Sequence, residues 1–95
     1  MELKAGFKMD NNTFEAKCKK LVVEYSNKHI DKTDSTRITP KDVYIVWQCK
    51  TLQNSKALLS TTLSDGMYYE LTYNGDKKQI YLDAYKKWEN IEYDI

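Results

Sequence analysis

Two cysteines, one histidine and eight tyrosines are the side chains in this 95-residue chain whose chemistry stands out. Cys18 and Cys49 are far apart, and neither has a cysteine or histidine near it at metal-ligand spacing. Two free thiols in a reducing compartment is the plain reading; one disulfide and a catalytic thiol are the alternatives. A reactive Cys49 would want a histidine or a cation beside it to lower its pKa, and on a strand the adjacent Lys50 would point the other way. His29 has no second histidine to work with. Asp65, Glu70, Asp76, Asp83 and Glu89 could pair as acid and base, but several lie in or beside turn residues, where carboxylates are ordinary. No glycine-rich phosphate loop, metal spacing or nucleophile motif is present. These residues point away from an enzyme and require no cofactor.

The tyrosines carry more. Tyr68, Tyr69, Tyr73, Tyr81 and Tyr85 flank Asn74-Gly75, with Trp88 just beyond. Exposed rings of this kind anchor protein partners or stack on unpaired bases. The plainer use of tyrosine is a strand residue that packs its ring and keeps its hydroxyl wet. Alternate tyrosines on a strand face opposite ways, so both uses can hold together. Lys77, Lys78, Lys86 and Lys87 are interleaved with the rings, but so are Asp76, Asp83, Glu89, Glu92 and Asp94, which cancel most of the charge. The candidate interaction surface is therefore Tyr68, Tyr81, Tyr85, Lys86, Lys87 and Trp88.

The elements that would position these residues follow from periodicity. Asn12 reads as a helix cap with Glu15 reaching back to it, and Phe14, Cys18, Leu21, Val22 and Tyr25 follow on one face. The helix should end near Asn27–Ile30. Asp31 to Lys41 is a polar loop, and Thr39-Pro40-Lys41-Asp42 also resembles a helix cap with proline in the first turn. Val43 to Leu52 is rich in β-branched and aromatic residues, which favours a strand over the helix that is its alternative. As a strand it puts Val43, Ile45, Trp47 and Cys49 on one face, with Trp47 and Cys49 in the core. Gln53 to Lys56 reads as a turn, Ala57 to Leu63 as a strand, and Ser64-Asp65-Gly66 as a turn using positive φ. Met67 to Tyr73 places Met67, Tyr69, Leu71 and Tyr73 on one face and Tyr68, Glu70 and Thr72 on the other. Asn74-Gly75 is the strongest hairpin signal, and a last strand runs from Gln79 to about Tyr85. Tyr81, Ala84, Tyr85, Trp88 and Ile91 are also spaced for a helix face, so a C-terminal helix from near Asp83 stays open. The fold class is α+β: an amphipathic helix packed on a three- to four-stranded antiparallel meander, with or without that second helix.

Composition sets the outer bounds. Hydrophobic residues make up 41% and charged residues 31%, the balance of a globular domain rather than a disordered one. Residues 1–11 read as a flexible extension and residues 12–95 as a single domain. A net charge of +1 argues against a protein that lives mainly on phosphate contacts. No apolar run approaches the roughly 18 residues of a membrane span, and no secretory leader is visible, so the expected location is the cytoplasm. An exposed sheet edge would allow a homodimer, but nothing in the sequence demands one over a monomer.

Long stretches also resemble a family. Asp42 to Trp47, Lys50 to Asn54 and Lys56 to Thr61 are similar to small uncharacterised proteins of tailed phages and prophages of Gram-positive bacteria. So are Asp65 to Glu70, Thr72 to Lys77 and Tyr81 to Asn90. The resemblance spans about Met9 to Ile91. It implies the cytoplasm of a bacterial host and supplies no catalytic residue. The expected function is that of a non-enzymatic phage accessory protein that binds a host or phage protein, as inhibitor, adaptor or counter-defence factor. The alternative is nucleic-acid binding through the aromatic and basic hairpin.

Overall fold

The computed structural model describes residues 9–29 and 37–95. Most of the expected extension, and most of the polar loop from Asp31, lie outside these residues. One helix, α1 (Asn11–His29), is followed by a single 3-10 turn (Pro40–Asp42). Four strands then run as β1 (Val43–Thr51), β2 (Asn54–Thr61), β3 (Met67–Asn74) and β4 (Gln79–Lys86). The strands form one sheet in the order β1-β2-β3-β4, each antiparallel to its neighbour. The segment Val43–Thr51 is thus a strand throughout. No helix follows β4: the helical spacing from Tyr81 loses to an eight-residue ladder with β3. No helix among the described residues is long and apolar enough to cross a membrane.

The helix begins one turn-fraction earlier than the Asn12 cap implies. Asp10 is the cap: its Oδ1 accepts the Thr13 N–H at 2.7 Å, and its carbonyl accepts the Phe14 N–H. The Thr13 N–H, and after it the Thr13 side chain, stabilise the ionised Asp10 carboxylate by hydrogen bonding and hold its pKa below the usual aspartate value. Met9, just before the cap, is buried.

Phe14, Cys18, Val22 and Ser26 repeat every four residues and form the buried stripe of α1. They meet one face of the sheet, where Val43, Ala57, Leu59, Tyr69, Leu71 and Tyr73 are buried. Tyr25 meets Tyr69 edge to face, with ring centroids 5.6 Å apart. The far end of the helix is tied down by a two-point clamp. The Asn27 side chain donates to the Ile38 carbonyl at 3.1 Å and accepts the Ile38 N–H at 3.0 Å. Ile38 itself is buried, and the Thr39–Asp42 turn delivers the chain from it into β1.

The turns are tighter than their sequences suggest. β1 and β2 are joined by Leu52 and Gln53 alone, with Leu52 in the left-handed region at φ 56°, and β2 starts at Asn54. Gly66 does take positive φ, at 69°, in the β2–β3 connection. Gly75 does not. The left-handed residue of the last turn is Lys78, at φ 54°. What glycine supplies at 75 is room: a Cβ there would lie 2.3 Å from the Gln53 carbonyl oxygen. The two turns at this end of the sheet are pressed together, and the Gly75 N–H donates to Asn54 Oδ1 at 3.1 Å. Gly75→Ala is therefore expected to cost about 1–3 kcal/mol of stability, because backbone rather than a flexible side chain has to move. Thermal or urea unfolding checks this; an unchanged midpoint would show that the turns separate without loss.

Candidate functional site

Among the described residues one helix covers one face of the four-stranded sheet and leaves the other bare. The bare face can be read from the pairing. Tyr44, Ser60, Tyr68 and Tyr85 form one row across the four strands. Trp47, Leu58, Glu70 and Asp83 form the next. Cys49, Lys56, Thr72 and Tyr81 form the third. Five aromatic rings therefore lie on one surface, and Tyr44, Trp47, Tyr81 and Tyr85 are each between two-fifths and about half exposed (48%, 42%, 47% and 52%).

Trp47 and Cys49 belong to this face because of a β-bulge. Ile45 pairs with Leu59 and Trp47 with Leu58, so Val46 is an extra residue with no partner on β2. With a side-chain period of two, one extra residue turns everything after it to the opposite face. Val43 and Ile45 point to the helix, whereas Trp47 and Cys49 point away, correcting the expectation that all four share a buried face. Gln48 and Lys50 turn to the helix side instead, and the Lys50 ammonium donates to the Met9 carbonyl at 3.3 Å. Cys49 is exposed and Cys18 buried, both as free thiols. Burial pushes the Cys18 thiol up to about 12, so it stays protonated.

The charges on the bare face are nearly balanced. Lys56 and Glu70 pair at 3.6 Å, and Glu70 Oε1 also accepts the Tyr85 hydroxyl at 3.3 Å. The Glu70 carboxylate holds the Tyr85 phenol above its usual pKa, so that hydroxyl remains a donor. The Tyr81 hydroxyl donates to Gln79 on its own strand. Among the described residues no three His, Cys, Asp or Glu side chains gather as a metal ion would need.

Of the residues singled out from the sequence, Tyr68, Tyr81 and Tyr85 share the bare face, and Tyr68 and Tyr85 are direct cross-strand partners. Lys86 is not with them: it pairs with Met67 in the helix-side register. Lys87 lies just past β4, its N–H bonded to the Gly66 carbonyl at 2.8 Å. Trp88 stands apart from the sheet, 90% exposed in a segment without regular structure. Tyr44 and Trp47 were not singled out as surface residues. No local signal marks them, since Val43, Ile45, Trp47 and Cys49 alternate as a regular buried strand would.

The two thiols report on this arrangement. In the native protein, a thiol reagent such as Ellman's is expected to modify Cys49 quickly and to reach Cys18 only on unfolding. Rapid labelling of both, or of neither, would contradict the bulged register.

Residues 15–95 match the model of a family described as a family of unknown function, DUF6275, and the chain belongs to that family. The match takes in the whole sheet, the segment after it and most of α1. No curated protein and no solved structure matches the chain.

Proposed function

For this member of the DUF6275 family, we propose a non-enzymatic binding role: a phage accessory protein whose bare sheet face docks on a host or phage protein in the bacterial cytoplasm. The observation that carries the reading is the row structure of that face, with Tyr44, Trp47, Tyr68, Tyr81 and Tyr85 displayed on paired strands. Tyrosine and tryptophan give large contact area at low entropic cost, and a sheet holds them without a folding step on binding. Protein–protein interfaces are enriched in these residues. The phage setting rests on the similarity of the strands and turns to phage and prophage proteins.

A protein partner suits the face better than nucleic acid. A surface for single strands combines rings with net positive charge. Here Lys56 is matched by Glu70, and Asp83 stands beside them in the middle row. Nucleic-acid binding is the second reading, and salt separates the two, because phosphate contacts weaken steeply as salt rises.

Trp47 and Tyr81 are the residues to change, being exposed and on different strands. The full chain is used to capture partners from host lysate with and without nuclease, and the affinity of the captured protein is then measured against Trp47→Ala and Tyr81→Ala. Each is expected to weaken binding by over about 1 kcal/mol, roughly fivefold or more, with little change in melting temperature. Full binding by both variants would remove the face from the interaction. Capture that disappears with nuclease would put nucleic acid in the protein's place.

A further inference from the structure

One corner of the bare face holds a hollow of about 370 Å³, between the start of β1, the β2–β3 connection and the residue after β4. Its lining is rich in donors that have no acceptor among the described residues. The Tyr44, Ser64 and Tyr68 hydroxyls and the Lys87 ammonium line it, and none has a hydrogen-bond or ion-pair partner among the described residues. Two other hydroxyls in the lining are already engaged: Ser60 donates to the Met67 carbonyl at 2.8 Å, and Thr61 accepts the Leu63 N–H at 3.1 Å. No carboxylate lines the hollow. Asp65 is adjacent in sequence, but it accepts the Met67 N–H and acts on Tyr69, on the helix side. A hollow with two aromatic walls, spare hydroxyls and one ammonium suits a carboxylate carried by an apolar chain.

The same molecule carries such a chain. Residues 88–95, WENIEYDI, leave from the rim of the hollow at Lys87 and have no regular structure. Trp88, Ile91, Tyr93 and Ile95 are all exposed, Ile91 the least at 57%. Large apolar side chains at half the positions of a short segment are a surface that calls for cover. From Ile91 they alternate with Glu92 and Asp94, the period of a strand rather than a helix. Glu89, Glu92 and Asp94 have no ion-pair partner among the described residues.

We infer that this chain self-associates by exchange of these segments, residues 88–95 of each copy lying across the hollow of the other with an acidic side chain seated against Lys87. The donor and the acceptor sites complement each other in charge. They also adjoin, because the segment starts at the residue that lines the hollow. A two-fold axis beside that rim carries each segment to the other copy's hollow and closes the assembly at two. Eight extended residues reach about 26 Å, enough to cross the sheet corner. The inference goes beyond the binding role proposed above and stands without it. Trp47 and Tyr81 take no part in it, so the two can fail separately.

Sedimentation equilibrium on the full chain tests it through charge reversal. A monomer–dimer equilibrium is expected for the unaltered chain. Lys87→Glu, and separately Glu92→Lys with Asp94→Lys, should each weaken the dimer at least tenfold. Mixing the two variants should restore it, since each hollow then meets a segment of opposite charge. All three positions are exposed, and unchanged melting temperatures would confirm intact folds. A monomer at every accessible concentration would overturn the inference. So would a dimer indifferent to both variants, or a mixture no tighter than its components.

Discussion

The contact between the α1 stripe and the sheet determines most of what else the molecule can be. Phe14, Cys18 and Val22 are almost wholly buried against Leu59, Leu71 and Tyr69, and there is a single described helix to do this. A sheet has two faces, and apolar area removed from water is the main favourable term in holding either one. With the helix committed to one side, the other has to be built from side chains that tolerate water yet still shield the strands. Tyrosine, tryptophan, threonine and long charged side chains do this, and they make up most of the rows of the bare face. An aromatic surface open to water is thus a by-product of how the core is closed. The fixing of α1 at both ends, by the Asp10 cap and by the Asn27 clamp on Ile38, keeps that division of faces constant.

Much of this was legible in the residues. The helical spacing of Phe14, Cys18, Leu21, Val22 and Tyr25 identified α1 and its inward side, although the buried stripe runs on to Ser26 and leaves Leu21 and Tyr25 at its margin; the alternation of Met67 to Tyr73 and the turn chemistry around Gly66 likewise match the structure. Boundaries moved by a few residues where pairing overrode local signals, as in β2, which recruits Asn54 to Lys56 from an apparent turn. β4 shows the same force at work. Tyr81, Ala84 and Tyr85 fit a helix as well as a strand, and the available ladder on β3 decided between them.

The candidate surface was only half visible, for one reason. A bulge is a property of two strands together: Val46 is extra only in relation to the spacing of Leu58 and Leu59. Nothing in Val43 to Cys49 by itself records that relation, and the regular alternation there argues for the wrong face. Tyr44 lies outside the tyrosine cluster by sequence and joins Tyr68 and Tyr85 only when the strands line up. Residues assembled by register, rather than by nearness along the chain, are the ones that sequence periodicity cannot bring together.

The pressed turns at Gln53 and Gly75 bear on how the chain finds this structure. In a meander each hairpin closes a short loop, so β1–β2 and β3–β4 can each form from nearby residues at small entropic expense. The contact between Gly75 and the Gln53–Asn54 corner is different in kind: it exists only once both hairpins are built and aligned through β2 and β3. It belongs to the end of the folding reaction rather than to its nucleus. Interactions made after the transition state chiefly slow unfolding and leave the folding rate alone. The small space at Gly75 is in that sense a latch, closing late, and its contribution is to the lifetime of the assembled sheet.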